Sequence, residues 1–159
     1  MNDSTTPTEA GPVPVPDGSI VVGHDGSKDS DRALGVALDF AEKMGVGVVV
    51  VRSWSIDTAP HGALYDHGYV SSFDEVTRTV RQHLIDETRD RASAHPAVAM
   101  EYRAALSHPA EFLTGLSAKA LMLVVGSRGL GGFAGVLLGS VSSQCVQHST
   151  CPVLVVPSE

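Results

Sequence analysis

Five consecutive apolar residues, Leu121 to Val125, run straight into a segment holding Gly126, Gly129, Gly131, Gly132, Gly135 and Gly139. An unbroken apolar run of this length suits a strand buried on both faces, and such strands belong to parallel sheets covered by helices. After the glycines, Gly139-Ser140-Val141-Ser142 opens a short helix, and Pro152 to Val156 reads as a last strand. Strand, glycine loop and helix N-terminus, in that order, present backbone N–H groups to an anion such as phosphate with no Cβ in the way. Ser140 and Ser142 add hydroxyl donors. Arg128 adds a cation, with a salt bridge or a solvent-facing pose as its other uses.

The remainder of the chain repeats strand and helix. Ser19 to Gly23 is a short buried strand, and His24-Asp25-Gly26-Ser27 is the loop after it. Ser30 is the predicted N-cap of the next helix, with Asp29 and Asp31 at the positive end of its dipole, and Gly45 ends that helix after Met44. Gly47 to Trp54 is a second buried strand. The connection from Ser55 to Ser71 is long and carries His61, Tyr65, Asp66, His67 and Tyr69. It reads as a lid over a ligand or a disordered loop; a metal site of His61, Asp66 and His67 lacks an evident fourth ligand. Ser72-Phe73-Asp74-Glu75 is a capping box, and its helix should run to about Ala94 and bury Phe73, Val76, Val80 and Leu84. Val98 to Ala104 alternates, as an outer strand does. Ser107-His108-Pro109 begins a helix with Phe112, Leu113 and Leu116 on its apolar face. Five strands alternating with four helices predict an α/β fold, a three-layer open parallel sheet with helices on both faces. Residues 1–17, with four prolines, read as a disordered tail before a single domain over 18–159.

Composition narrows the partners. The formal charge of −7 argues against sequence-independent nucleic-acid binding, which rests on neutralising phosphates. No apolar run approaches the ~18 residues of a membrane span, and the first residues lack the basic and apolar stretches of a signal peptide. Cys145 and Cys151 have five residues between them and read as reduced thiols, so the expected location is cytoplasmic.

Two phosphate motifs fail. No Gly-Lys-Ser or Gly-Lys-Thr occurs, so there is no Walker A loop. Gly129-Leu-Gly131-Gly-Phe-Ala134 fits a dinucleotide fingerprint, but the only acidic residue after it is Glu159. A dinucleotide site needs a second strand and an acidic residue roughly 20 positions on.

The spacing is more specific than the glycine count. Gly126, two residues, Gly129, nine residues, then Gly139-Ser140 resembles the ATP-binding signature of the universal stress protein family. Val22 to Ser27 is similar to the first-strand segment of its actinobacterial members. The resemblance covers about Ser19 to Pro157. It implies a Rossmann-like, adenine-nucleotide-hydrolase-like sheet of order 3-2-1-4-5. It also implies an ATP site of Gly23, His24 and Asp25 after the first strand, with adenine received by backbone at Val51, Arg52 and Ser53. Val125, Gly126, Arg128, Gly129, Gly139, Ser140, Val141 and Ser142 carry over from the signature loop. In this reading Gly126 and Gly129 admit ribose and phosphate, and Gly139 to Ser142 donate to the β- and γ-phosphates. Asp25 accepts from the nucleoside, or caps a turn instead. His24, where a small or apolar residue is expected, stacks on the base or narrows the pocket. Mg²⁺ is expected to accompany the phosphates without a protein cage of its own. No catalytic group stands out, so a nucleotide-dependent stress sensor or regulator is expected, with a slow ATP hydrolase and a nucleotide-free interaction module as alternatives. Cyclic nucleotide is a further ligand candidate. The last strand, apolar on both faces yet at the sheet edge, implies a homodimer.

Overall fold

A computed structural model describes residues 12–131 and 134–159. The elements are β1 (Ile20–Gly23), α1 (Lys28–Met44), β2 (Val48–Trp54), β3 (Tyr65–Asp66), β4 (Tyr69–Val70), α2 (Phe73–Ser93), β5 (Met100–Leu106), α3 (Pro109–Leu116), β6 (Met122–Gly126), α4 (Ser140–His148) and β7 (Val153–Val156). Five strands form one sheet in the order β5-β2-β1-β6-β7, every pair parallel. Without the small antiparallel β3-β4 hairpin, that order is the expected 3-2-1-4-5.

Alternation along the strands fills two cores. Ile20, Val22, Val48, Val50 and Val124 pack with Leu34, Leu38 and Ala41 of α1 and Leu84 of α2. Val21, Val49, Val51, Leu123 and Val125 point the other way, onto Leu113 and Leu116 of α3 and Cys145 of α4. Burial pushes the Cys145 thiol up to about 11, an unreactive core thiol, and both cysteines are free. The chain builds outward from β1 through β2 to β5, then crosses back to β6 and β7. The strand order therefore reverses between β1 and β6, and a crevice opens beyond their C-terminal ends.

Several expectations need correction. The N-cap of α1 is Ser27, whose Oγ accepts from Ser30 N–H at 3.1 Å. Ser30 lies buried in the first turn, where its own hydroxyl donates to Ser27 O at 2.9 Å. The Ser72–Glu75 capping box is present, but Phe73 is exposed. It sits at the first position of α2, ahead of the turn that meets the sheet, and touches Trp54 edge-on at 6.2 Å. Of the two readings of the long connection, the disordered loop does not hold: it carries the β3-β4 hairpin, with Ala59, Ala63 and Leu64 packed near Trp54.

Part of the segment expected as tail packs on the domain. Residues 1–11 lie outside the described residues, but residues 12–17 are docked. Val15 is 3% exposed and joins the α3-side core. The Arg103 guanidinium donates to the carbonyls of Val13 and Pro14, and Gly18 N–H donates to Lys119 O at 3.0 Å. This segment joins α3 in covering that face of the sheet, and its prolines suit an extended chain that needs few ladder bonds. Val15→Ala should lower unfolding free energy by about 1–2 kcal/mol in urea titration. A change indistinguishable from zero would mean that this segment covers nothing.

At the β5 edge, Arg81 Nε donates to Tyr102 O at 2.8 Å. The outer side of β7 has no strand partner among the described residues. Among those residues no helix is long and apolar enough to cross a membrane.

Candidate functional site

A cavity of about 590 Å³ opens at the C-terminal ends of β1, β2 and β6. Small-molecule sites commonly span about 300–1,000 Å³. Every site residue expected from the sequence lines it: Gly23, His24, Asp25, Val51, Arg52, Ser53, Val125, Gly126, Arg128, Gly129, Gly139, Ser140, Val141 and Ser142.

One end is the N-terminus of α4. Gly139 is its N-cap, with no side chain to satisfy the first-turn donors. Gly139 N–H itself is spent on Ser127 O at 2.7 Å. The first-turn N–H groups of Ser140, Val141 and Ser142 are thus left for an anion. The hydroxyl of Ser142 is buried and donates to Ser127 O and Gly139 O, each at 3.1 Å. Its single proton is committed to holding the loop ends together, so Ser142 offers backbone but not hydroxyl, contrary to the sequence reading. The Ser140 side chain is exposed. Arg128 lines the cavity with no hydrogen bond or ion pair among the described residues, so the salt-bridge alternative is absent.

The two signature glycines answer to different neighbours. A Cβ on Gly126 would lie 3.0 Å from the Asp29 backbone, so this glycine admits the first turn of α1 against β6. A Cβ on Gly129 would lie 2.6 Å from Asp25 Oδ2. That carboxylate accepts from Ser27 N–H at 3.0 Å through Oδ1 and from Leu130 N–H at 3.1 Å through Oδ2. Asp25 therefore both closes an Asx turn and fastens the glycine loop to β1. A carboxylate has about four lone-pair sites, so acceptor capacity remains for a ligand hydroxyl. Partial desolvation pushes the Asp25 carboxyl up, but the hydrogen bonds from Ser27 and Leu130 outweigh it and hold the group below its usual value.

At the other end, β2 outruns β1. Val51 O accepts from His24 N–H at 2.9 Å, the last bond of that ladder. Two residues on, Ser53 has the same orientation toward the β1 side, where β1 has already ended, so its N–H and C=O face the cavity even though β5 pairs on its other side. His24 is buried and does not present its ring for stacking. Its Nδ1 takes hydrogen bonds from Arg52 Nη2 at 2.7 Å and Gly26 N–H at 3.3 Å, which assigns the proton to Nε2. Arg52 also donates to His24 O at 3.0 Å and pairs with Glu87 of α2 at 2.7 Å. This group braces the β1–α1 turn from beneath.

Burial first, then the Arg52 guanidinium, lowers the His24 pKa below 6.5, so the folded chain keeps it neutral. The unfolded chain gains a proton near pH 6.5 that the folded chain refuses. The stability contributed here is complete above about pH 6.5 and is lost as pH falls toward the lowered value. His24→Asn, which keeps an acceptor but does not titrate, should show a smaller fall in melting temperature between pH 7.5 and pH 5.5 than the parent. An equal fall in both would exclude His24 as its source.

Trp54, Thr58, Pro60, Val80, Phe112, Val136 and Leu138 also line the wall. The sequence marks Val80 and Phe112 only as apolar positions on their helices and gives the others no sign of a site. The exception is the loop carrying Thr58 and Pro60, whose length reads as a lid or a disordered loop. The dinucleotide fingerprint includes Gly132 and Phe133, which lie outside the described residues. Of its described glycines, Gly129 and Gly131, neither opens a helix, and α4 begins at Ser140.

These features define a doubly wound α/β domain with a glycine loop and an uncapped helix start at its switch point. The sequence model of the universal stress protein family matches residues 18–157, and the chain belongs to that family. A universal stress protein of Mycolicibacterium smegmatis is 35% identical over 139 residues, 86% of this chain and 45% of its own length. The chain spans about half the length of the curated relatives it matches. Among solved structures, a universal stress protein in complex with cAMP is 30% identical, with TM-score 0.62 over 91% of this chain and all of that one. The Archaeoglobus fulgidus universal stress protein in complex with dAMP is 19% identical, with TM-score 0.56 over 87% of this chain and 96% of its own, and shows the fold alone.

Proposed function

We propose that this cavity binds ATP and that the protein is a cytoplasmic, nucleotide-dependent stress regulator. The observation that carries this reading is the pairing, in one cavity, of an uncapped helix start beside an arginine with no partner among the described residues, and strand backbone left open toward β1 at the far end. Phosphates sit on the N–H groups of Ser140 to Ser142, with Arg128 and the Ser140 hydroxyl adding charge and a donor. Asp25 accepts from a ribose hydroxyl, and Ser53 N–H and C=O read the edge of adenine. Mg²⁺ rides on the phosphate oxygens and water. Binding rather than turnover is the function. Asp25, the one carboxylate lining the cavity among the described residues, is already held by two backbone donors and is poorly placed to orient water.

A cyclic nucleotide is the second reading, favoured by the cAMP complex of the 30% identical relative. Amide hydrogen exchange separates the two. ATP should slow exchange at Ser140–Ser142 and at Ser53, and ATP should bind more tightly than AMP or cAMP. Tighter cAMP binding would favour the second reading, and no protection with any nucleotide would sink both.

The quaternary proposal is a homodimer through β7. Arg81 blocks a carbonyl of the β5 edge, whereas the outer side of β7 is open, and an open edge strand pairs with another. Sedimentation at micromolar concentration should give a dimer; a monomer would reject this interface.

A further inference from the structure

Ser127 is the first residue after β6 and the point to which both ends of the glycine loop are tied. Its carbonyl takes Gly139 N–H at 2.7 Å and Ser142 Oγ at 3.1 Å. Its N–H donates to Val156 O at 2.8 Å. Its side chain turns the other way, toward the residues that follow β7. There Ser127 Oγ lies 3.2 Å from Ser158 Oγ and accepts from Ser158 N–H at 3.2 Å. The Ser158 hydroxyl in turn donates to the carboxylate of Asp29, in the first turn of α1. Asp29 is also the residue whose backbone Gly126 admits.

We infer that Ser127, Ser158 and Asp29 form a side-chain clamp that positions the glycine loop for phosphate, so that the segment after β7 is a working part of the nucleotide site. None of the three needs to touch ligand. Ser127 is buried and Ser158 half-buried, and hydrogen bonds link Asp29 through Ser158 and Ser127 to Gly139 without a break. The effect runs through Ser127. If its side chain is released, its carbonyl is no longer fixed in the orientation that holds Gly139 and Ser142. The three N–H groups of the α4 start then lose a common aim. Preorganised donors bind an anion more tightly than donors that must first be ordered. The adenosine end, built from β1 and β2, does not depend on this clamp.

The inference rests on reading the loop as a nucleotide site, and the test separates the two. In ligand-free Ser158→Ala, exchange at the Gly139 amide should rise roughly three- to tenfold, the worth of one hydrogen bond, while exchange at Val124 in the sheet stays unchanged. ATP affinity should fall by a similar factor with adenosine affinity unaltered, and Ser158→Thr, which keeps the hydroxyl, should restore both readouts. Unchanged Gly139 exchange in Ser158→Ala overturns the clamp. Equal weakening of ATP and adenosine also overturns it, since the role would then be general stability. If the parent chain binds no nucleotide while Gly139 exchange still rises, the clamp stands and the ATP reading fails.

Discussion

Gly129→Val should bind ATP about 100-fold more weakly than the parent chain while melting within a few degrees of it. The added Cβ would lie 2.6 Å from Asp25 Oδ2, closer than any real contact of that kind, and the branched side chain leaves few rotamers to relieve it. Either Asp25 swings away or the loop lifts, and both break the bond from Leu130 N–H to Asp25. A charge-assisted hydrogen bond is worth about 1.5–3 kcal/mol, and displacing the ribose acceptor adds to it, hence two orders of magnitude. Stability should change little because Gly129 and Leu130 are exposed and outside the two cores. Calorimetric titration beside a thermal melt reads both quantities. Unaltered ATP affinity would mean that the Asp25–loop contact is no part of the site.

Trp54→Ala carries the largest expected loss of stability, about 3–5 kcal/mol. Trp54 ends β2 at 2% exposure, packs with Val76 and Val80 of α2, and donates from its indole N–H to Thr77 Oγ1 at 2.9 Å. It is the anchor that holds α2 and the 55–71 connection over the cavity, with Ala59, Ala63 and Leu64 against the same cluster. Removal leaves a void too large for its neighbours to fill and frees a wall of the site. Urea unfolding measures the loss, and a value below about 1 kcal/mol would contradict this packing.

The sheet was legible because its signals are redundant. Val48 to Val51 can only be a strand buried on both faces, and the alternation of Met100 to Arg103 places β5 at the rim. The signature loop was legible because glycines at that spacing before a serine have few other uses. What the sequence could not carry was the direction of a side chain. Ser142 reads as a phosphate donor until its hydroxyl is seen turned onto Ser127 O. Gly126 and Gly129 look alike in the sequence, yet one admits a helix backbone and the other a carboxylate. His24 reads as a residue that stacks on the base or narrows the pocket, but Arg52 and Glu87 draw it beneath the turn. Residues 12–17 read as tail because prolines and polar residues dominate there. One valine in the core and one arginine on two carbonyls are long-range contacts with no local pattern. The Asp29–Ser158 bond spans 129 positions and is equally silent in the sequence.

The most direct test of the nucleotide site is calorimetric titration of refolded, nucleotide-free protein with ATP and, separately, with adenosine. The expected result is saturable ATP binding in the micromolar range, weaker binding of adenosine, and loss of the difference between them when Arg128 is replaced by alanine together with Ser140. Absence of ATP binding, or equal affinity for ATP and adenosine in the parent chain, would contradict the assignment of the α4 start as a phosphate site.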